Sequence, residues 1–262
     1  MLFTPAFLLL FPAIDPAFPR LTPNQAIAMG LVVACVGSAS SSSAYWYRRI
    51  VALDVAAPLL RVSVPVAVAF SIVAFSVPAR GLLATFGGIL FFLAVLLGRR
   101  RGARAGGEGH GPGGLGRGAM VRQHTSRDGH PFAYRFQAGW VDRAVCAAGA
   151  GLVGLTGIGL GPLLTTVLTI RHELPLHLAT ATSVFVVAIT VLGAAVTHSI
   201  LPLQRDVALP WGLVAMMALA VLLGGQVTPR LARRIPERVM RRALIGMFLI
   251  VGALMLPRAV AM

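Results

Sequence analysis

The segment Gly149-Ala150-Gly151-Leu152-Val153-Gly154-Leu155-Thr156-Gly157-Ile158-Gly159-Leu160-Gly161-Pro162 holds the residues best suited to chemistry. It packs six glycines into residues 149–161 of an otherwise apolar stretch. Each glycine costs a helix interior about 1 kcal/mol relative to alanine, and Pro162 removes a further backbone donor. The composition therefore predicts a helix break over Gly157–Pro162. Lipid cannot satisfy the N–H groups such a break exposes, so they must face protein or a wet cavity. A helix restarting near Pro162 would aim free N–H groups and partial positive charge at that cavity, an arrangement that favours anions. Gly157, Gly159 and Gly161 are the candidate donors. The same glycines could instead serve close helix packing, with Gly151, Gly154 and Gly157 at one-turn spacing. On the anion reading, Gly159→Leu should abolish flux at normal abundance, and Gly151→Ala should be milder.

Other polar groups inside apolar stretches extend the candidate site. Thr180, Thr182 and Ser183 lie close together near the start of the next span and could line a cavity. Ser40 and Ser41 belong to a run, Ser38 to Ser43, at the end of an earlier span. Their hydroxyls could line an oxyanion path or bond to carbonyls of their own helix. Arg61 lies about ten residues into its span, where a charge is expensive and by default functional. Its planar fork suits an anion; snorkelling, or pairing with Asp54, is the alternative. His198 reads as an interfacial residue at a membrane edge, although its titration range would suit proton coupling.

Nothing points to catalysis. The chain holds eight acidic residues, scattered and mostly in loops, with no nucleophile–base pair, metal-ligand spacing or phosphate-binding GxxxxGK motif. No enzyme activity, cofactor or metal is expected. The two cysteines, Cys35 and Cys146, sit in apolar spans and give no disulfide framework. The net charge of +15 comes from 23 arginines, with no lysine, placed mostly in loops. That is the pattern of membrane topology rather than of a nucleic-acid surface. The expected partners are a small anionic substrate and the lipid bilayer; the sequence does not fix the oligomeric state.

These residues require membrane-spanning elements to hold them. The 262 residues have a mean hydropathy of +0.82 and 12% charge, about half that of a soluble domain. Apolar runs of about 20 residues recur, enough to cross a bilayer. The fold class is an all-α, polytopic membrane protein with two repeated halves of about four segments each. Asp54-Val55-Ala56-Ala57-Pro58 recurs as Asp206-Val207-Ala208-Leu209-Pro210, an offset of 152. Ala26 and Ala28 recur as Ala179 and Ala181; Val77-Pro78 and Gly88 recur as Ile235-Pro236 and Gly246. Residues 1–98 form the first half, with segments at Met1–Pro12, Ala26–Tyr45, Val51–Val77 and Leu82–Gly98. Residues 144–262 form the second, with segments at Ala144–Ile170, Leu174–Thr197, Val207–Gly225 and Met240–Leu256. Between them, 99–143 is an Arg/Gly-rich polar loop, expected to be disordered over 99–131 and interfacial around Phe132–Trp140.

Charge placement sets a puzzle. Nine arginines put the central loop in the cytoplasm, with Arg48 and Arg49 on the same side. Simple alternation then puts the Thr228–Arg242 connection, with its six arginines, outside. A broken or re-entrant segment would change the parity.

The glycine run resembles the signature of the sulfite exporter TauE/SafE family, close to GxxSGxxGIGGG. Leu174-Pro175 with Ala179-Thr180-Ala181-Thr182-Ser183 is similar to that family's P…AxATS stretch. Thr197-His198 followed by Gln204-Arg205-Asp206-Val207-Ala208 resembles its H…G-x-V-D turn, and Tyr47–Asp54 the equivalent turn of the first half. The resemblance implies a bacterial inner-membrane transporter of small, often sulfur-containing anions. Departures are also visible. Leu160 stands where the family usually has Gly, and Thr166 where Pro is common. Ala28-Met29-Gly30 lacks the Thr-Ser of its counterpart, and Met1–Leu9 resembles what normally follows a first-half signature. The first half is thus expected to lack its first helix. The alternative reading is a non-transporting or degenerate membrane paralogue that acts as a partner or scaffold.

Overall fold

The computed structural model describes residues 23–78, 122–125, 131–134, 139–157, 159–172, 174–203 and 211–232, with Phe136 and scattered positions over 80–95 and 245–253. The membrane part is helical, as expected. Helix α1 spans Pro23–Tyr47, α2 Leu53–Ala74, α3 Trp140–Thr156, α4 Leu160–Ile170, α5 Leu176–Leu203 and α6 Trp211–Ala232. Three stretches, Gln25–Tyr47, Leu53–Ala74 and Leu178–Ile200, are long and apolar enough to cross a membrane. Within the polar loop, where disorder was expected, Arg122–Thr125 pairs antiparallel with Pro131–Tyr134, so that His124 sits opposite Phe132. Aromatic residues favour such pleated pairing. The proposed segments Met1–Pro12 and most of Leu82–Gly98 and Met240–Leu256 lie outside the described residues.

Contacts fix the relative directions of α1, α2, α3, α5 and α6. Trp46, at the end of α1, stacks on Phe185, near the start of α5, at 5.5 Å. The two long helices therefore run antiparallel. Helix α2 runs with α5: the Ala52 N–H donates to Thr182 Oγ1 at 3.1 Å, Ser63 meets Thr190 at 2.7 Å, and Phe75 meets His198. Helix α3 runs with α2, since Cys146 reaches the Leu59 carbonyl and Gly154 lies against Ala67 and Ser71. Helix α6 runs with α1, with Met29 and Val214 in one cluster and Val221 against Gly37. A side chain on Gly37 would lie 2.5 Å from Val221, so this pair of helices depends on a glycine.

Among the helices given above, α4 turns back within the bundle. It has 11 residues, or about 16 Å at 1.5 Å per residue, too few to span. Its first residue, Leu160, packs on Gly149, with Leu160 Cα 3.1 Å from where a Gly149 Cβ would stand. Gly149 falls between the Cys146–Leu59 and Gly154–Ala67 contacts, level with the middle of α2. Beyond its last residue, Arg171 Nε lies 3.5 Å and His172 Nε2 3.0 Å from Asp142 Oδ1, in the first turn of α3. So α3 and α4 form a re-entrant hairpin whose two ends share one side. Asp142 is 2% exposed and also accepts the Gly139 N–H at 2.8 Å.

This hairpin removes the parity conflict. Arg48, Arg49, Arg143, Arg171 and the α6 end at Thr228–Ala232 all fall at one end of the bundle. Two described arginines of the helical part do not: exposed Arg80 follows α2 at the opposite end, and Arg61 lies along α2.

Single cysteines test this arrangement after Cys35 and Cys146 are replaced by Ala. Arg49→Cys, Trp140→Cys and Arg171→Cys should react with an impermeant maleimide from one side of the membrane, and Ser76→Cys from the other. Opposite labelling of Trp140→Cys and Arg171→Cys would make the segment a full span.

Candidate functional site

The break lies over Gly157–Gly159, narrower than the expected Gly157–Pro162. Gly157 caps α3 in the left-handed region (φ 79°), and its N–H donates to the Val153 carbonyl, a common C-terminal glycine motif. Gly159 holds φ 138°, a conformation in effect reserved for glycine. Gly161 and Pro162 already belong to the first turn of α4. A proline is tolerated there because its missing N–H has no intrahelical acceptor. The three candidate glycines thus differ. The Gly157 donor is used within α3, Gly159 forms the bend, and Gly161 stands in the turn whose N–H groups find no partner inside their own helix. That turn begins at mid-bundle depth, beside Gly149.

Packing uses the remaining glycines. A Cβ on Gly154 would collide with the Ala67 carbonyl oxygen and lie 2.9 Å from both Phe70 Cβ and Ser71 N. On Gly151 it would meet only the Phe70 ring, at 3.4 Å. A Cβ on Gly159 would be 3.0 Å from Leu152 Cβ. Small-residue packing and the helix break, set out above as alternatives, occur together in one segment. The expectation that Gly159→Leu keeps normal abundance is therefore corrected: strain and lack of space both oppose any side chain there.

Hydroxyls connect α4 to α5. Thr165 Oγ1 and Ser183 Oγ are 2.7 Å apart. Thr165 can also donate to the Gly161 carbonyl at 2.9 Å, and Ser183 to the Thr180 carbonyl at 2.9 Å. Each hydroxyl carries one proton, so one of these carbonyl bonds must yield to the hydroxyl pair. The line Gly161–Thr165–Ser183–Thr180 thus joins three candidate site residues through Thr165, which sequence reasoning passed over. Thr182 is fully buried and accepts from Ala52, tying α5 to the α1–α2 turn.

Other candidates fall elsewhere. Ser41 donates to the Gly37 carbonyl within α1, and Ser40 reaches the Leu222 carbonyl of α6 at 3.4 Å. Arg61 lies on an exposed face of α2, whereas Ser63 on the buried face meets Thr190. His198 is a correction: it is fully buried, with Nε2 2.9 Å from the Gly154 carbonyl. Asp142 was counted as a loop acid, yet it clamps the hairpin's open end. Among the described residues, no group of three or more His, Cys, Asp or Glu could hold a metal ion.

A family model described as sulfite exporter TauE/SafE matches residues 1–255 of the chain. Neither a curated protein nor a solved structure matches it.

The glycine contacts set an order of tolerance. Gly151→Ala should leave the yield of folded protein near wild type. Gly154→Ala and Gly159→Leu should reduce it sharply, each costing about 1–3 kcal/mol or more through overpacking. Monodisperse elution from size-exclusion chromatography measures this. Equal yields for Gly151→Ala and Gly154→Ala would contradict the packing described.

Proposed function

The chain belongs to the sulfite exporter TauE/SafE family, and from that premise we propose that it is a multi-pass membrane transporter of a small sulfur-containing anion such as sulfite or a sulfonate. The observation that carries this reading is the re-entrant hairpin, in which α4 begins at mid-bundle depth behind a glycine bend. Its first-turn N–H groups and partial positive charge offer an anion site without any charged side chain. Gly159, Gly161, Thr180 and Ser183 border it, with Thr165. The hydroxyl pair can turn a donor toward an oxyanion, because its protons have more than one acceptor.

Movement follows from symmetry. Helices α1–α2 and α5–α6 run in opposite senses, and α1 packs on both α5 and α6 while α5 packs on both α1 and α2. We read residues 1–98 and 144–262 as inverted-topology repeats, a common build for carriers that alternate access around a midplane site. Leu160 is fully buried against Gly149, so substrate entry requires the hairpin to part from its neighbours. The arginine-bearing end is assigned to the cytoplasm of a bacterial inner membrane.

Proteoliposomes test the reading with sulfite, thiosulfate and sulfoacetate. Saturable flux of at least one is expected. Ser183→Ala and Thr165→Val should lower it about tenfold, the equivalent of one net hydrogen bond of about 1.4 kcal/mol, at unchanged abundance. Absence of flux for every anion would favour a non-transporting partner or scaffold.

A further inference from the structure

A buried histidine stands where the hairpin's first helix ends. The carbonyls in the last turn of a helix find no partner further along it, and inside a membrane no water replaces that partner. His198 Nε2 lies 2.9 Å from the Gly154 carbonyl, in the last turn of α3. A carbonyl only accepts, so Nε2 carries the hydrogen, and in the neutral ring Nδ1 is then a bare acceptor. Nδ1 is buried and has no hydrogen-bond partner among the described residues. Leaving a buried acceptor unmet is unfavourable, and a purely structural cap would not require it. The ring packs on Phe75 at 5.0 Å. Neither Phe75, from the end of α2, nor Gly154, from α3, brings a titratable group, and Arg80, the charged residue described beyond that end of α2, is exposed.

We propose that His198 is the proton-binding residue of this carrier, with Nδ1 as the atom that takes the proton and the Gly154 carbonyl as the contact through which the hairpin senses it. The inference rests on the transport reading. The Nδ1 lone pair forms an N–H bond with a proton delivered by hydronium, which leaves as water. The ring gains one positive charge and keeps its Nε2–H bond to Gly154. That charge sits at the C-terminus of α3, the end at which a helix favours cations. In the conformation seen here Nδ1 is sealed, so a proton enters or leaves only when the hairpin moves. Proton occupancy and access are thereby linked.

His198→Gln separates the two functions, because its amide N–H can still cap Gly154 but binds no proton. Thiosulfate in proteoliposomes is the transport probe, with protein-free vesicles as the control. With the membrane potential clamped near zero, wild type should accumulate it under an imposed pH gradient, up to about tenfold per pH unit for one proton per anion. His198→Gln should only equilibrate it. Gradient-driven accumulation by His198→Gln, or wild-type flux indifferent to the gradient, would overturn the proposal. If no thiosulfate moves, the transport reading fails for that anion, and hydrogen exchange at residues 154–157 decides on the histidine. After correction for the intrinsic rate, wild-type protection should change in one step as the pH is lowered, with His172→Gln unchanged from wild type and His198→Gln flat. A flat wild-type profile overturns the proposal even if His198→Gln does not fold.

Discussion

The bundle depends on satisfying a backbone that reverses direction inside it. A chain that bends away from lipid and water must find partners for each freed N–H and C=O. Here Gly157 closes α3 on the Val153 carbonyl, and His198 reaches the Gly154 carbonyl from α5. Gly159 takes a conformation that a side chain would forbid. At the other end of the hairpin, Asp142 gathers Arg171, His172 and the Gly139 N–H. The hairpin is thus fastened at its tip by a histidine and at its mouth by a carboxylate. Along its length, glycines press it against α2.

That reversal determines what the rest of the chain can do. Because α4 returns, α5 starts from the same side as α3, and α6 ends on the side of Arg48 and Arg49. A full span in place of the hairpin would send the end of α6 to the opposite face. The same geometry leaves α4 starting at mid-depth beside Gly149, with first-turn N–H groups that find no partner inside their own helix. Charge topology and the proposed anion site therefore stem from one structural event.

Much of this was legible in the residues. Glycine and proline are poor in helix interiors, so the run from Gly149 to Pro162 announced a break. The break proved shorter because Pro162 is acceptable in a first turn. The return of the chain was harder to read, since apolar composition is the same for a spanning and a re-entrant helix. Spacing held the clue: only 11 residues separate Gly159 from Arg171, too few to cross. His198 looked interfacial from its place near the end of an apolar run. Its burial depends on α3 ending beside it, a contact 44 residues away in sequence that no local pattern records. Asp142 was obscured in the same way, because its partners follow the break. Arg61 suggested a substrate ligand by depth alone, but the helix turns it away from the Ser63 face.

The central claim is that the first turn of α4 receives the anion through its backbone. Backbone amide shifts of Leu160 and Gly161 in ¹⁵N-labelled protein, titrated with thiosulfate, test it most directly. The account predicts a saturable shift at these two amides, with Gly193 of α5 as an unmoved reference. Saturable binding that shifts amides elsewhere and leaves Leu160 and Gly161 unchanged would contradict it.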